Sequence, residues 1–160
     1  MQKRGQLLSE PFVFVFALIV GAMILIWGTN YVIKLNEVGE SVELTSFVSK
    51  LRKDVESFYY LDEGSSKIIN IRLPSKIDFI CIKGDNSFNN QAIMNGYPGF
   101  DFILENNDNN IFFLPTDAYQ RTIYSINNLK PSLQNPSCFR NGEKAKIITK
   151  AEYIEITKAN

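Results

Sequence analysis

From Pro11 to Ile33 the chain carries no Asp, Glu, Lys or Arg, and these 23 residues, Phe12 and Trp27 among them, are rich in Phe, Val, Ile and Leu. At about 1.5 Å per residue a helix of that length reaches roughly 35 Å, enough to cross a hydrocarbon core of about 30 Å with some tilt. The competing reading is a buried helix of a soluble domain, but a helix of this length in such a domain normally keeps a polar face. Trp27 and Tyr31, near the far end, suit the interfacial belt where amphipathic rings settle. Lys3 and Arg4 precede the run, so the positive-inside rule places the N-terminus in the cytoplasm and the rest of the chain outside, with Lys34 on the outer side. The lipid bilayer is the first partner the sequence implies.

A cleavable secretory signal has an apolar region of about 7 to 15 residues followed by a small-residue site. Here the run is longer, and Trp27-Gly28-Thr29-Asn30 is a poor site of that kind. The small residue, Gly5, stands before the run, and Glu10 stands at its cytoplasmic edge. The segment Lys3-Arg4-Gly5-Gln6-Leu7-Leu8-Ser9-Glu10 resembles the class III signal peptide of type IV pilin-like proteins, in particular the archaeal kind with a Lys/Arg-Gly-Gln junction. The resemblance implies that a prepilin-type signal peptidase cuts between Gly5 and Gln6, leaving the apolar helix on the mature protein. Glu10 would then be the fifth mature residue, where the family carries its glutamate. It also implies assembly with like subunits or other pilin-like proteins through the N-terminal helix, into a cell-surface filament or a secretion pseudopilus.

In that family the glutamate is held to meet the free amine of a neighbouring subunit and so set axial register. For Glu10 two readings stay open. A carboxylate among packed apolar helices needs such a partner, because desolvation costs several kcal/mol; at the bilayer edge it merely ends the span. Cyclisation of a newly exposed Gln6 would remove the positive partner. Pro11 is tolerated at the first helical position, so the helix is expected to start there, with Ser9 or Glu10 as its cap.

The 160 residues suit one domain plus a membrane segment. The expected division is a leader at 1–5, a transmembrane segment at 6–34, an amphipathic extension of the helix at 35–62 and an extracytoplasmic β-rich head at 63–160. Acidic and basic residues balance at 17 each, and loss of Lys3 and Arg4 would leave 15 basic residues against 17 acidic. No basic patch argues for nucleic acid, so none is expected as a partner. The chain has no histidine, the commonest general base and transition-metal ligand. No spacing marks a catalytic set, and we expect no catalytic residue, no metal and no cofactor. Glu105, Asn107 and Asn109 faintly echo a calcium loop, but Asn110 stands where its glycine belongs and Thr116 where its closing glutamate belongs. Solvated turns are the better account.

Beyond the membrane, a helical period continues through residues 35–61. Val38 and Val42 fall near Leu35 on one side, whereas Leu44, Phe47, Val48, Leu51, Val55, Phe58 and Tyr59 fall nearly opposite. The second stripe fits a helix laid on a globular head, with Lys50, Lys53, Asp54 and Ser57 facing away. The first stripe suits neighbouring helices in a filament, or equally the lipid interface or a bend at Gly39. Asp62-Glu63-Gly64-Ser65-Ser66 ends the helix.

The period then becomes two. Residues 67–73 and 77–83 read as strands joined across Pro74-Ser75. Residues 100–104 and 111–114 read as a hairpin around an Asn-rich turn, 120–126 as a fifth strand, and 144–149 with 153–157 as a closing hairpin. The expected fold class is α+β: one long helix, membrane-spanning in its first half and amphipathic in its second, packed on an antiparallel head of about seven short strands. Cys81 falls in an expected strand and Cys138 in a loop. An oxidised bridge between them and two separately buried thiols both remain open, the bridge being plausible only for a head outside the cell.

Two functions follow. The first is a structural subunit whose helix assembles. The second is an unassembled, membrane-anchored module whose head binds a ligand or protein.

Overall fold

The computed structural model describes residues 10–159 in backbone and, except for Glu10 and residues 33–37, in side chain. The leader, with Gly5 and Gln6 at the processing site, lies outside the described residues, as do the side chains of Glu10, Ile33 and Leu35. Helix α1 runs Glu10–Tyr59, with Pro11 in its first described turn. The chain divides into two units, one ending at Gly39 and the other starting at Glu40.

In the first unit, Pro11–Val32 forms 22 residues of helix with a mean hydropathy of 2.5 and nothing packed over them. Phe12, Leu18, Met23, Leu25, Trp27 and Tyr31 are all exposed, so the apolar character runs round the whole helix. The Thr29 hydroxyl donates to the carbonyls of Leu25 and Ile26, both at 3.0 Å, which satisfies it without leaving the helix.

The second unit is an α+β head. Leu44, Val48, Leu51 and Val55 are at most 3% exposed, and Phe47, Phe58 and Tyr59 pack beside them, as the second helical stripe requires. Val42, by contrast, is 61% exposed. Buried Thr149 ends α1: its hydroxyl donates to the Phe58 carbonyl at 2.9 Å, supplying one of the bonds a helix C-terminus lacks. Gly64 then turns the chain at φ 89°.

Among the described residues, eight strands make two four-stranded sheets. Sheet A contains β1 (Ser66–Asn70), β5 (Leu129–Pro131), β7 (Lys144–Thr149) and β8 (Ile154–Lys158), in the order β1-β7-β8-β5, with β5 parallel to β8 and the other pairs antiparallel. Sheet B contains β2 (Phe79–Ile82), β3 (Ile111–Leu114), β4 (Ile123–Tyr124) and β6 (Ser137–Arg140), antiparallel in the order β4-β3-β2-β6. The main core joins α1 to Ile69, Ala145, Ile147, Ile154 and Ile156 of sheet A and to Ile80, Ile82, Ile111, Phe113 and Phe139 of sheet B. The other face of sheet B is covered by two short helices, α2 (Gln91–Gly96) and α3 (Phe100–Glu105), around Phe100, Leu104, Phe112 and Leu114. Sheet B is thus buried on both faces, which is why β3 reads Ile-Phe-Phe-Leu without alternation.

Several expectations need correction. Residues 100–104 are helix α3, not a strand: Phe100 and Leu104, four apart, are the buried pair, while Phe102 between them is 68% exposed. A strand would have placed all three on one face. The Asn-rich segment therefore joins a helix to β3 and is no hairpin. The segment across Pro74-Ser75 carries the chain from one sheet to the other, because β1 and β2 lie in different sheets. The run 67–73 is cut to β1, and after Ile71 bonds Glu143 the Asn141 side chain takes over, accepting from Leu73 N–H at 3.0 Å and donating to its carbonyl at 2.9 Å. Only Ile123–Tyr124 of 120–126 is strand. Among the described residues the strands number eight rather than about seven, and β5, β6 and α2 stand where the sequence pattern shows no element.

Candidate functional site

Two features of the expected site lie on described residues. The membrane candidate is α1 from Pro11 to Val32, long and apolar enough to span a bilayer, and Pro11, Phe12 and Trp27 sit on it with exposed side chains. The bridge between Cys81 and Cys138 is formed. The two residues stand directly opposite each other on β2 and β6, so Cys138 belongs to a strand rather than a loop. Both are buried against Phe100, Leu104 and Phe112.

A polar cluster that local patterning did not reveal meets the first helical residue of the head. The Glu40 carboxylate accepts from the Tyr119 hydroxyl at 2.8 Å and from Ser75 Oγ at 3.0 Å. These bonds, Tyr119 first, with the Lys76 charge behind them, hold the Glu40 carboxyl below its ordinary value. Burial, followed by Glu40, pushes the Tyr119 phenol up to about 12. A similar pair forms between Tyr97 and Asp78 at 2.9 Å, where burial and then the carboxylate push the phenol up to about 12. Glu40 and Tyr119 are 79 residues apart in sequence, so no local spacing signals their meeting.

The Asn-rich loops act as internal scaffolding. Asn107 Oδ1 accepts from the Asn109 backbone at 3.1 Å and its side chain at 2.6 Å. Asn110 spans two loops, donating to the carbonyls of Ile126 and Leu129 and accepting from Ile126 N–H. Lys83 Nζ donates to the carbonyls of Leu104 and Asn107, placing a cation at the end of α3 where the helix dipole favours one. Asn135, almost fully buried, binds both the N–H and the carbonyl of Gly84 and the carbonyl of Asn86. A side chain at Gly84 would meet Pro131 Cγ at 2.9 Å, which explains glycine there. Among the described residues, no three Cys, Asp or Glu side chains are grouped to hold a metal ion.

Near its N-terminus the chain thus has a helix long and apolar enough to span a membrane, and a disulfide-bonded α+β unit follows it. Comparison with protein-family models, curated proteins and solved structures finds no match to it.

Proposed function

We propose that the chain is a pilin-like or pseudopilin-like structural subunit: a single-pass membrane protein, cut by a prepilin-type peptidase between Gly5 and Gln6, that assembles through its apolar helix. On this reading it is not an enzyme, its N-terminus is cytoplasmic and its head is displayed outside. The observation that carries the reading is the order of parts at the N-terminus. A Lys-Arg-Gly-Gln junction and Glu10 stand directly against an apolar helix, Pro11–Val32, exposed all round. Such a surface exchanges lipid for neighbouring apolar helices at little cost in hydrophobic free energy, so packing and the few polar groups decide the partner and the register. On this reading Glu10 supplies that polar group.

The test is the intact mass and N-terminal peptide of the protein from membranes of its own host, with a Gly5→Val variant beside it. A mature start at Gln6, lost in the variant, together with high-mass material sheared from cells, is the expected result. A start at Met1 and a monomer released only by detergent would favour the anchored, unassembled binding module. A start beyond Asn30 would make the head a secreted protein and overturn both.

A further inference from the structure

Sheet A ends on β1, which is bonded to β7 alone. Thr149 N–H donates to the Ser65 carbonyl and Ile71 N–H to that of Glu143, so the odd-numbered residues at 65–71 make the bonds to β7 in this antiparallel ladder. The N–H and C=O groups of Ser66, Ile68 and Asn70 alternate with them and point to the opposite side. No strand lies on that side among the described residues. All three residues are exposed, Ile68 by 58%.

Natural sheets blunt such edges with short strands, lysines, proline, bulges or covering segments; β1 has five residues, no proline, and one charge, Lys67, which is drawn to Asp54 of α1 at 2.7 Å. Beside it runs a groove of about 400 Å³ between α1 and the strand, with Phe47 and Leu51 on the helix side and Lys50, Lys67 and Arg72 along it. The groove's one carboxylate, Asp54, is already paired with Lys67 at 2.7 Å. Lys50 and Arg72 are exposed and form no ion pair within the described residues. On β7, Lys146 and Lys144 stand opposite Ile68 and Asn70, adding positive charge next to the edge.

We propose that this edge is a docking site for an extended, acidic peptide segment of another protein, which adds to sheet A beside β1. The backbone groups of Ser66, Ile68 and Asn70 supply the pairing, and Lys50 and Arg72 select carboxylates on the incoming strand. A second copy of β1 is the wrong occupant, because residues 65–73 carry Lys67 and Arg72 and no carboxylate to meet the cations along the groove. The proposal does not depend on whether the apolar helix assembles.

Proline at 68 removes an outward N–H without touching a bond to β7, the position at which an edge strand accepts proline. The test is binding of a fluorescent octapeptide alternating Glu and Val to the full chain in phosphatidylcholine nanodiscs, followed by anisotropy. Wild type should bind it and not a Lys-Val counterpart, and Ile68→Pro should weaken binding about tenfold while Ile68→Ala changes it little. Lys50→Glu combined with Arg72→Glu should transfer the preference to the Lys-Val peptide. If Ile68→Pro proves unfolded, slowed amide exchange at Ser66, Ile68 and Asn70 of wild type on peptide addition decides instead. Failure of wild type to bind would overturn the proposal. So would equal binding by a folded Ile68→Pro, equal displacement by an oligothymidylate of the same length, or a dimer that Ile68→Pro dissociates.

Discussion

Tyr97 and Tyr119 each donate a phenolic proton to a carboxylate, and each phenol is pushed up to about 12 from an ordinary 10.0. The sign of the consequence follows from linkage. Between pH 10 and 12 the unfolded chain releases these two protons while the native chain keeps them, so the stability they contribute is present below pH 10 and is lost as pH rises toward 12. Unfolding midpoints measured from pH 8 to 12 should therefore fall more steeply for wild type than for Tyr97→Phe combined with Tyr119→Phe. Glu40 acts in the opposite sense: its folded value is lowered, so its contribution is present above its unfolded value and is lost as pH falls through the folded one. None of this was legible in the sequence. A phenol and a carboxylate 79 residues apart carry no shared period, and only the packing of 115–122 against α1 brings them together.

The elements were legible where one period ruled them. The stripe Leu44, Val48, Leu51 and Val55 repeats at helical spacing and is the buried face of α1. The pair β7 and β8 alternates cleanly and stands within a residue of its expected place. Misreading began where two periods fit. Phe100, Phe102 and Leu104 satisfy a strand, but Leu104 also lies one helical turn from Phe100, and contact with Phe112 on sheet B favours the turn. Strand β6 was hidden because Asn135-Pro136-Ser137 signals a loop and the strand starts inside that signal. The bridge from β2 to β6 closes a chain separation of 57 residues, which in the chain-entropy description is worth about 4 kcal/mol. Replacing both Cys81 and Cys138 with Ala should lower the unfolding free energy by about that amount in urea titrations, with Ile80 and Phe139 still in register.

At the scale of the whole molecule, the apolar run was the most legible part, because its length and its lack of charge mark a helix able to span a bilayer without reference to any distant residue. Met23 lies near its middle and is 59% exposed. Met23→Arg should cost about 2.5–3.5 kcal/mol in insertion and shift protein from the carbonate-resistant membrane pellet to the soluble fraction. An unchanged distribution would mean that the arginine finds a polar neighbour within the membrane. The head gave no comparable signal, since its core is assembled from short strands that pair far across the chain.

The pairing of β1 sets a timetable. Strand β1 ends at Asn70, yet its partner β7 starts only at Lys144, and β7 in turn pairs with β8, which ends at Lys158. On a ribosome making about 5 to 20 residues per second, β1 waits several seconds or more for the strand that completes it. Sheet A cannot close until β8 has been made as far as Lys158. A chain delivered N-terminus first would have its apolar helix in the bilayer while most of the head was still being synthesised. Sheet B, whose last strand ends at Arg140, could pair first, whereas a ribosome stalled anywhere before Lys144 would leave β1 with no partner strand.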